Sequence, residues 1–67
     1  MLAIEVERED DGRWIAEVTA LPGALAYGAT EQEARQRVAA LALRVIADLI
    51  EHGDPVPAEA RALFAAA

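Results

Sequence analysis

Between positions 2 and 18 the chain runs twice through an alternation of apolar and polar residues, and Asp10-Asp11-Gly12 separates the two runs. A period of two marks a half-buried strand, and an acid-acid-glycine break between two such runs marks a hairpin. Leu2, Ile4 and Val6 point one way, and Ala3, Glu5, Glu7 and Glu9 the other. In the second run, Arg13 to Val18, one face carries Trp14, Ala16 and Val18. The register follows from the pattern. With Glu9 opposite Arg13 across the turn, Val6 faces Ala16 and Ile4 faces Val18, so the apolar residues share a face. A slip of one residue would set Glu5 beside Val18 and destroy that face. The favoured register gathers Glu5, Glu7 and Glu17 on the opposite side, interrupted by Ile15. Clustered like charges cost stability there, so this face calls for water or a cationic partner.

Leu21-Pro22-Gly23 predicts a tight connection, because proline lacks an N–H and glycine tolerates an unusual backbone turn. A third short strand, Ala24 to Tyr27, ends at Gly28. Thr30-Glu31-Gln32-Glu33 has capping-box spacing, with Thr30 as N-cap and Glu33 reaching back. Glu31 and Glu33 also suit the positive end of the helix dipole. The helix should run to about His52 and stop at Gly53, with Pro55 just beyond. The expected fold is α+β: a three-stranded antiparallel sheet in β-β-β-α order, one long helix on one face, and a short C-terminal helix over Ala58 to Ala66 with Pro57 in its first turn.

Two apolar stripes run along the long helix. Ala34, Val38, Leu41, Val45 and Leu49 form the one expected to cover the sheet. Ala39, Leu43, Ile46 and Ile50 form a second beside it, and Arg37, Arg44, Asp48 and Glu51 mark the solvated side. Together the stripes exceed what three strands need. Either the C-terminal tail packs on the second stripe through Leu63 and Phe64, or that stripe is a contact between subunits. The two readings are compatible.

Size sharpens the point. The chain has 67 residues and no cysteine. A domain this short buries only about 60% of the surface its unfolded chain exposes. With no disulfide or thiolate metal site to add stability, reinforcement by a second copy or by a partner protein is expected, and a homodimer or homotetramer is the expected assembly. The net charge is −6 and every cation is an arginine. That charge opposes direct binding of nucleic acid by this chain and suits a basic partner. No basic segment followed by an apolar run opens the chain. Val38 to Leu43, among the longest apolar runs, falls far short of the about 20 residues that cross a bilayer. A cytoplasmic protein without membrane contact is the expectation.

The residue types that carry catalysis are scarce. There is no serine, cysteine or lysine, and Thr19 and Thr30 are the only aliphatic hydroxyls. Nucleophilic catalysis lacks a candidate. The single histidine, His52, falls at the helix C-terminus, where the dipole favours a cation. Glu9, Asp10 and Asp11 crowd a hairpin tip without the spaced ligands and glycine of a calcium loop, and the four glycines are too scattered to cradle a phosphate. Trp14 shares a face with Val6 and Val18, which favours the core over base stacking; Tyr27 is the other stacking candidate. Neither an enzyme nor a cofactor or metal is expected.

Asp10-Asp11-Gly12, Trp14-Ile15-Ala16-Glu17-Val18, Leu21-Pro22-Gly23, Gly28-Ala29-Thr30-Glu31-Gln32-Glu33-Ala34 and Gly53-Asp54-Pro55-Val56-Pro57 occur in this order and spacing. The combination, spanning about residues 1–60, resembles the N-terminal domain of HicB-like antitoxins, a partial ribonuclease-H-like fold. Ala29 stands where the family usually has Asp, and Ala24 where it often has Cys. The resemblance implies one HicB-like domain over residues 1–67, without the fourth strand and DNA-binding domain that usually follow. It also implies a non-enzymatic partner of a HicA-type toxin, a small basic RNA-cleaving protein neutralised by contact.

Two other functions compete with that expectation. One is a solitary self-associating structural or regulatory domain with no toxin partner. The other is a carboxylate-metal nuclease, which would need a third acid beside Glu5 and Glu17 that the helix does not offer. The expected partner surface is the outer edge of the first strand and its acidic face, with Glu5, Glu7, Glu9 and Glu17. Self-association is expected through Ala39, Leu43, Ile46 and Ile50.

Overall fold

The structure is a computed structural model that describes residues 2–64. Strand β1 spans Ile4–Arg8, β2 Trp14–Val18 and β3 Leu25–Gly28; helix α1 spans Glu31–Glu51 and α2 Ala58–Arg61. The strands form one antiparallel sheet in the order β1-β2-β3, and α1 packs on one face of it. This is the expected α+β arrangement.

The hairpin has the expected register, with Ile4 opposite Val18 and Val6 opposite Ala16. Its turn closes through Gly12 N–H to the Glu9 carbonyl at 2.9 Å and Glu9 N–H to the Arg13 carbonyl at 2.7 Å. Gly12 takes a φ of 89°, as the last residue of a three-residue hairpin loop built on a type I turn must. At the second connection, Ala24 N–H bonds the Leu21 carbonyl at 2.9 Å and Gly23 has a φ of 86°. Pro22 and Gly23 are the two central residues of that turn. Ala24 closes the turn, so β3 starts one residue later than the alternation suggests.

Helix α1 is bounded as its sequence directs. Glu33 N–H donates to Thr30 Oγ1 at 3.1 Å. The Glu33 carboxylate accepts from Ala29 N–H at 2.9 Å, one residue before the N–H that a capping box uses. At the other end Gly53 N–H bonds the Ile50 carbonyl and Asp54 N–H the Leu49 carbonyl, with Gly53 at a φ of 70°. This pair of bonds is a Schellman stop.

The buried ridge of α1 is Ala34, Val38, Ala42 and Ile46. It differs from the expected stripe: Leu41, Val45 and Leu49 flank it half-buried, and Ile46, read from the sequence as part of the outer stripe, is 3% exposed. Steps of four residues drift around the helix and follow the twist of the sheet, and alanine at 34 and 42 lets the two layers approach closely. The core is completed by Ala16, Val18, Leu21, Ala24 and Ala60. Trp14 packs at its margin.

The C-terminal segment is shorter in helix than expected. Helix α2 stops at Arg61, and Pro57 is its N-cap with no side-chain cap bond. So short and uncapped a helix gains few hydrogen bonds against the cost of nucleation. The expected continuation over residues 65 and 66 lies outside the described residues. Ala60, fully buried, anchors this segment, while Leu63 and Phe64 stay 54% and 63% exposed. Among the described residues no helix is long and apolar enough to cross a membrane.

Candidate functional site

One helix covers one side of the sheet, and among the described residues no element covers the other. Alternation places Glu5 and Glu7 of β1, Ile15 and Glu17 of β2, and Leu25 and Tyr27 of β3 on it. Glu5 stands opposite Glu17, Glu7 opposite Ile15, Ile15 opposite Tyr27 and Glu17 opposite Leu25. The face is therefore divided. Its β1 side is acidic, and a shallow hollow of about 420 Å³ there is lined by Glu5, Val6, Glu7, Ile15 and Glu17. Its β3 side is apolar, with Leu25 39% and Tyr27 38% exposed.

Two carboxylates facing each other across a strand pair repel, and no cation of the described residues answers them. Of the two hairpin arginines, Arg8 forms no ion pair among the described residues and Arg13 is committed elsewhere. Arg13 donates from its backbone N–H to Asp11 at 3.0 Å and from Nε at 2.7 Å, and its guanidinium lies 4.6 Å from the centre of the Tyr27 ring. These bonds, the backbone one first, hold the Asp11 carboxyl below the ordinary aspartate range. Among the described residues, none of Glu5, Glu7 and Glu17 takes part in an ion pair. Glu9, expected with them, sits half-buried at the hairpin end and does not line the hollow.

The two edges of the sheet also differ. Since Glu9 N–H bonds Arg13 across the hairpin, the alternation of an antiparallel ladder turns the N–H and C=O groups of Ile4, Val6 and Arg8 away from β2. That edge is open. On β3 the outward groups are those of Leu25 and Tyr27, and half of them are occupied. Arg37 donates to the Tyr27 carbonyl at 3.0 Å, and Leu25 N–H reaches the Gly23 carbonyl at 3.1 Å.

Comparison with protein-family models, curated proteins and solved structures gives no match. The site rests on its own geometry.

The residues assigned to self-association are not on one footing. Leu43 and Ile50 are 58% and 49% exposed and Ala39 is exposed, whereas Ile46 belongs to the core. Leu43 stands between two apolar hollows. One, of about 280 Å³, is lined by Leu43, Ile46, Ala47, Ile50, Glu51, Leu63 and Phe64. The other, of about 200 Å³, is lined by Leu2, Ile4, Val18, Ala39, Ala42 and Leu43. Leu63 and Phe64 thus lean over the second stripe and, among the described residues, leave Leu43 and Ile50 exposed. His52 caps α1, its Nδ1 2.7 Å from the Asp48 carbonyl and 3.3 Å from Oδ1 of the same residue. Among the described residues, no three histidine or acidic side chains gather into a metal site.

Leu25 escaped the sequence reading, and Tyr27 entered it only as a stacking candidate, because β3 was given no faces. The signal was available. Fixing the turn at Pro22-Gly23 fixes the pairing of β3 with β2 and turns both side chains to the open side.

Proposed function

We propose that this chain is a non-enzymatic protein-binding module of the HicB-like antitoxin type. In this reading it neutralises a small basic RNA-cleaving protein by covering the surface that RNA would occupy. The observation that carries the reading is the divided open face: among the described residues Glu5, Glu7 and Glu17 have no cation partner, and they stand beside half-buried Ile15 and exposed Leu25 and Tyr27. Carboxylates steer a basic partner into contact, and apolar area beside them holds it.

A test begins with the neighbouring genes. A small basic RNA-cleaving protein encoded there should be captured by the chain and lose its cleavage. Replacing Glu5, Glu7 and Glu17 by Gln should leave folding intact, slow capture about tenfold at low salt, and flatten its salt dependence. A triple variant that captures this protein as fast as the parent at every salt concentration removes the acidic face from the site.

A second reading, a solitary self-associating domain, is favoured by exposed Leu43, Ile50, Leu63 and Phe64 along one side of α1. The absence of any basic neighbour that the chain captures, together with a stable dimer, would select it.

A further inference from the structure

Three features meet at the outer side of β1. The backbone groups of Ile4, Val6 and Arg8 point outward along an open edge. Helix α1 lies mainly over β2 and β3 and touches β1 least, so Ile4 and Val6 are only half-buried. The hollow lined by Leu2, Ile4, Ala39 and Leu43 runs beside them. On the other face of the same strand stand Glu5 and Glu7. A strand laid along this edge would send alternate side chains into an apolar hollow and beside carboxylates. We infer that the β1 edge accepts an extended segment of a partner protein, in which apolar residues alternate with arginine or lysine. The inference rests on the protein-binding reading above and specifies how the partner is held: by backbone hydrogen bonds along β1, with side-chain alternation giving specificity.

Charge selects this occupant over a second copy. Two β1 strands paired antiparallel about Val6 would set Glu5 of each against Glu7 of the other. Each copy's Glu17 would stand just behind, in its pair with Glu5. Such a patch of like charges has no cation within it and opposes pairing. A cationic strand meets the opposite condition. In antiparallel pairing its apolar residues stand opposite Ile4 and Val6 and exchange the backbone bonds, and its cationic residues stand opposite Glu5 and Glu7.

The test uses the full chain and a short peptide alternating arginine with valine. It also uses a block isomer of the same composition and two isomers N-methylated at all arginines or at all valines. The alternating peptide should bind, and should slow exchange of the Ile4, Val6 and Arg8 amide protons. One of the methylated isomers, the valine one for antiparallel pairing, should bind about tenfold or more weakly, since it loses a row of backbone bonds. The other should bind like the parent peptide, and the block isomer should bind more weakly than the alternating one. If the block isomer and both methylated isomers match the alternating peptide, the edge is not used, while charge-driven capture of proteins survives. If no peptide binds, the edge inference fails, and the Glu-to-Gln experiment decides the protein-binding reading separately. If those amides are already protected in the free protein in proportion to its concentration, the edge belongs to a second copy and the inference is overturned.

Discussion

Gly28→Ala should unfold a large part of the population, with a loss of about 3 kcal/mol, the upper end of overpacking costs. A Cβ at Gly28 would lie 2.5 Å from Ala34 N, and 3.0 Å from both Ala34 Cα and the Glu33 carbonyl carbon. All three are backbone atoms at the first turn of α1, so no side chain can swing aside. The helix would have to lift from β3 at this close approach, next to the Thr30 cap. A domain of this length has roughly 3–10 kcal/mol in total, so the change consumes much of it. Gly23→Ala is the control. Its Cβ meets nothing within 4 Å, and only the φ of 86° is strained, which costs about 1–2 kcal/mol. Urea denaturation of both variants compares them directly. Equal losses would show that the strand and the helix do not approach as described.

Ile46→Glu should abolish the native fold, and Leu43→Glu should not. The two positions are three residues apart on α1, and the sequence pattern puts them on one stripe. The structure separates them: Ile46 is 3% exposed and Leu43 58%. A carboxylate at 46 would be buried in the apolar core cluster, at a cost of several kcal/mol. At 43 the carboxylate would reach water, and stability should change by less than about 1 kcal/mol. Any dimer that uses the outer stripe should then dissociate without unfolding. Circular dichroism and sedimentation of both variants separate the outcomes. An Ile46→Glu protein that melts like the parent would return Ile46 to the surface.

That pair of residues also marks how far the sequence could be read. The hairpin register, the Leu21-Pro22-Gly23 corner, the Thr30 cap and the Gly53 stop were all legible, because each depends on residues close in sequence. The acidic grouping of Glu5, Glu7 and Glu17 was legible for the same reason: it follows from the hairpin alone. What was not legible depends on how layers meet. Ala42 looked neutral in composition, yet it is buried because a small residue is needed where the helix crosses the sheet. Leu63 and Phe64 were one of two candidates to cover the second stripe, yet Ala60 is the buried residue of that segment, and they line a hollow beside α1 while staying 54% and 63% exposed. The difference between the two sheet edges depends on Arg37 reaching Tyr27 from ten residues away, which no periodicity encodes.

The long helix has a mechanical consequence. Its 21 residues extend about 31 Å, whereas the five residues of β1 or β2 extend about 17 Å. The buried ridge of α1 runs from Ala34 to Ile46, and past Ile46 Leu49 alone of the helix is half-buried. The molecule measures 45 × 20 × 14 Å, the outline of a lever rather than a sphere. Its radius of gyration of 13.0 Å exceeds the roughly 11 Å of a compact domain of this size. Opening should therefore begin at the free end and travel inward. In native-state hydrogen exchange, amides from about Ala47 to Glu51 should exchange through partial unwinding, while those near Val38 wait for global unfolding. Uniform protection along α1 would mean that something other than the described chain braces the far end. A partner that grips that end would stiffen the whole helix, and a ligand bound far from the sheet could in this way raise the melting temperature of the sheet itself.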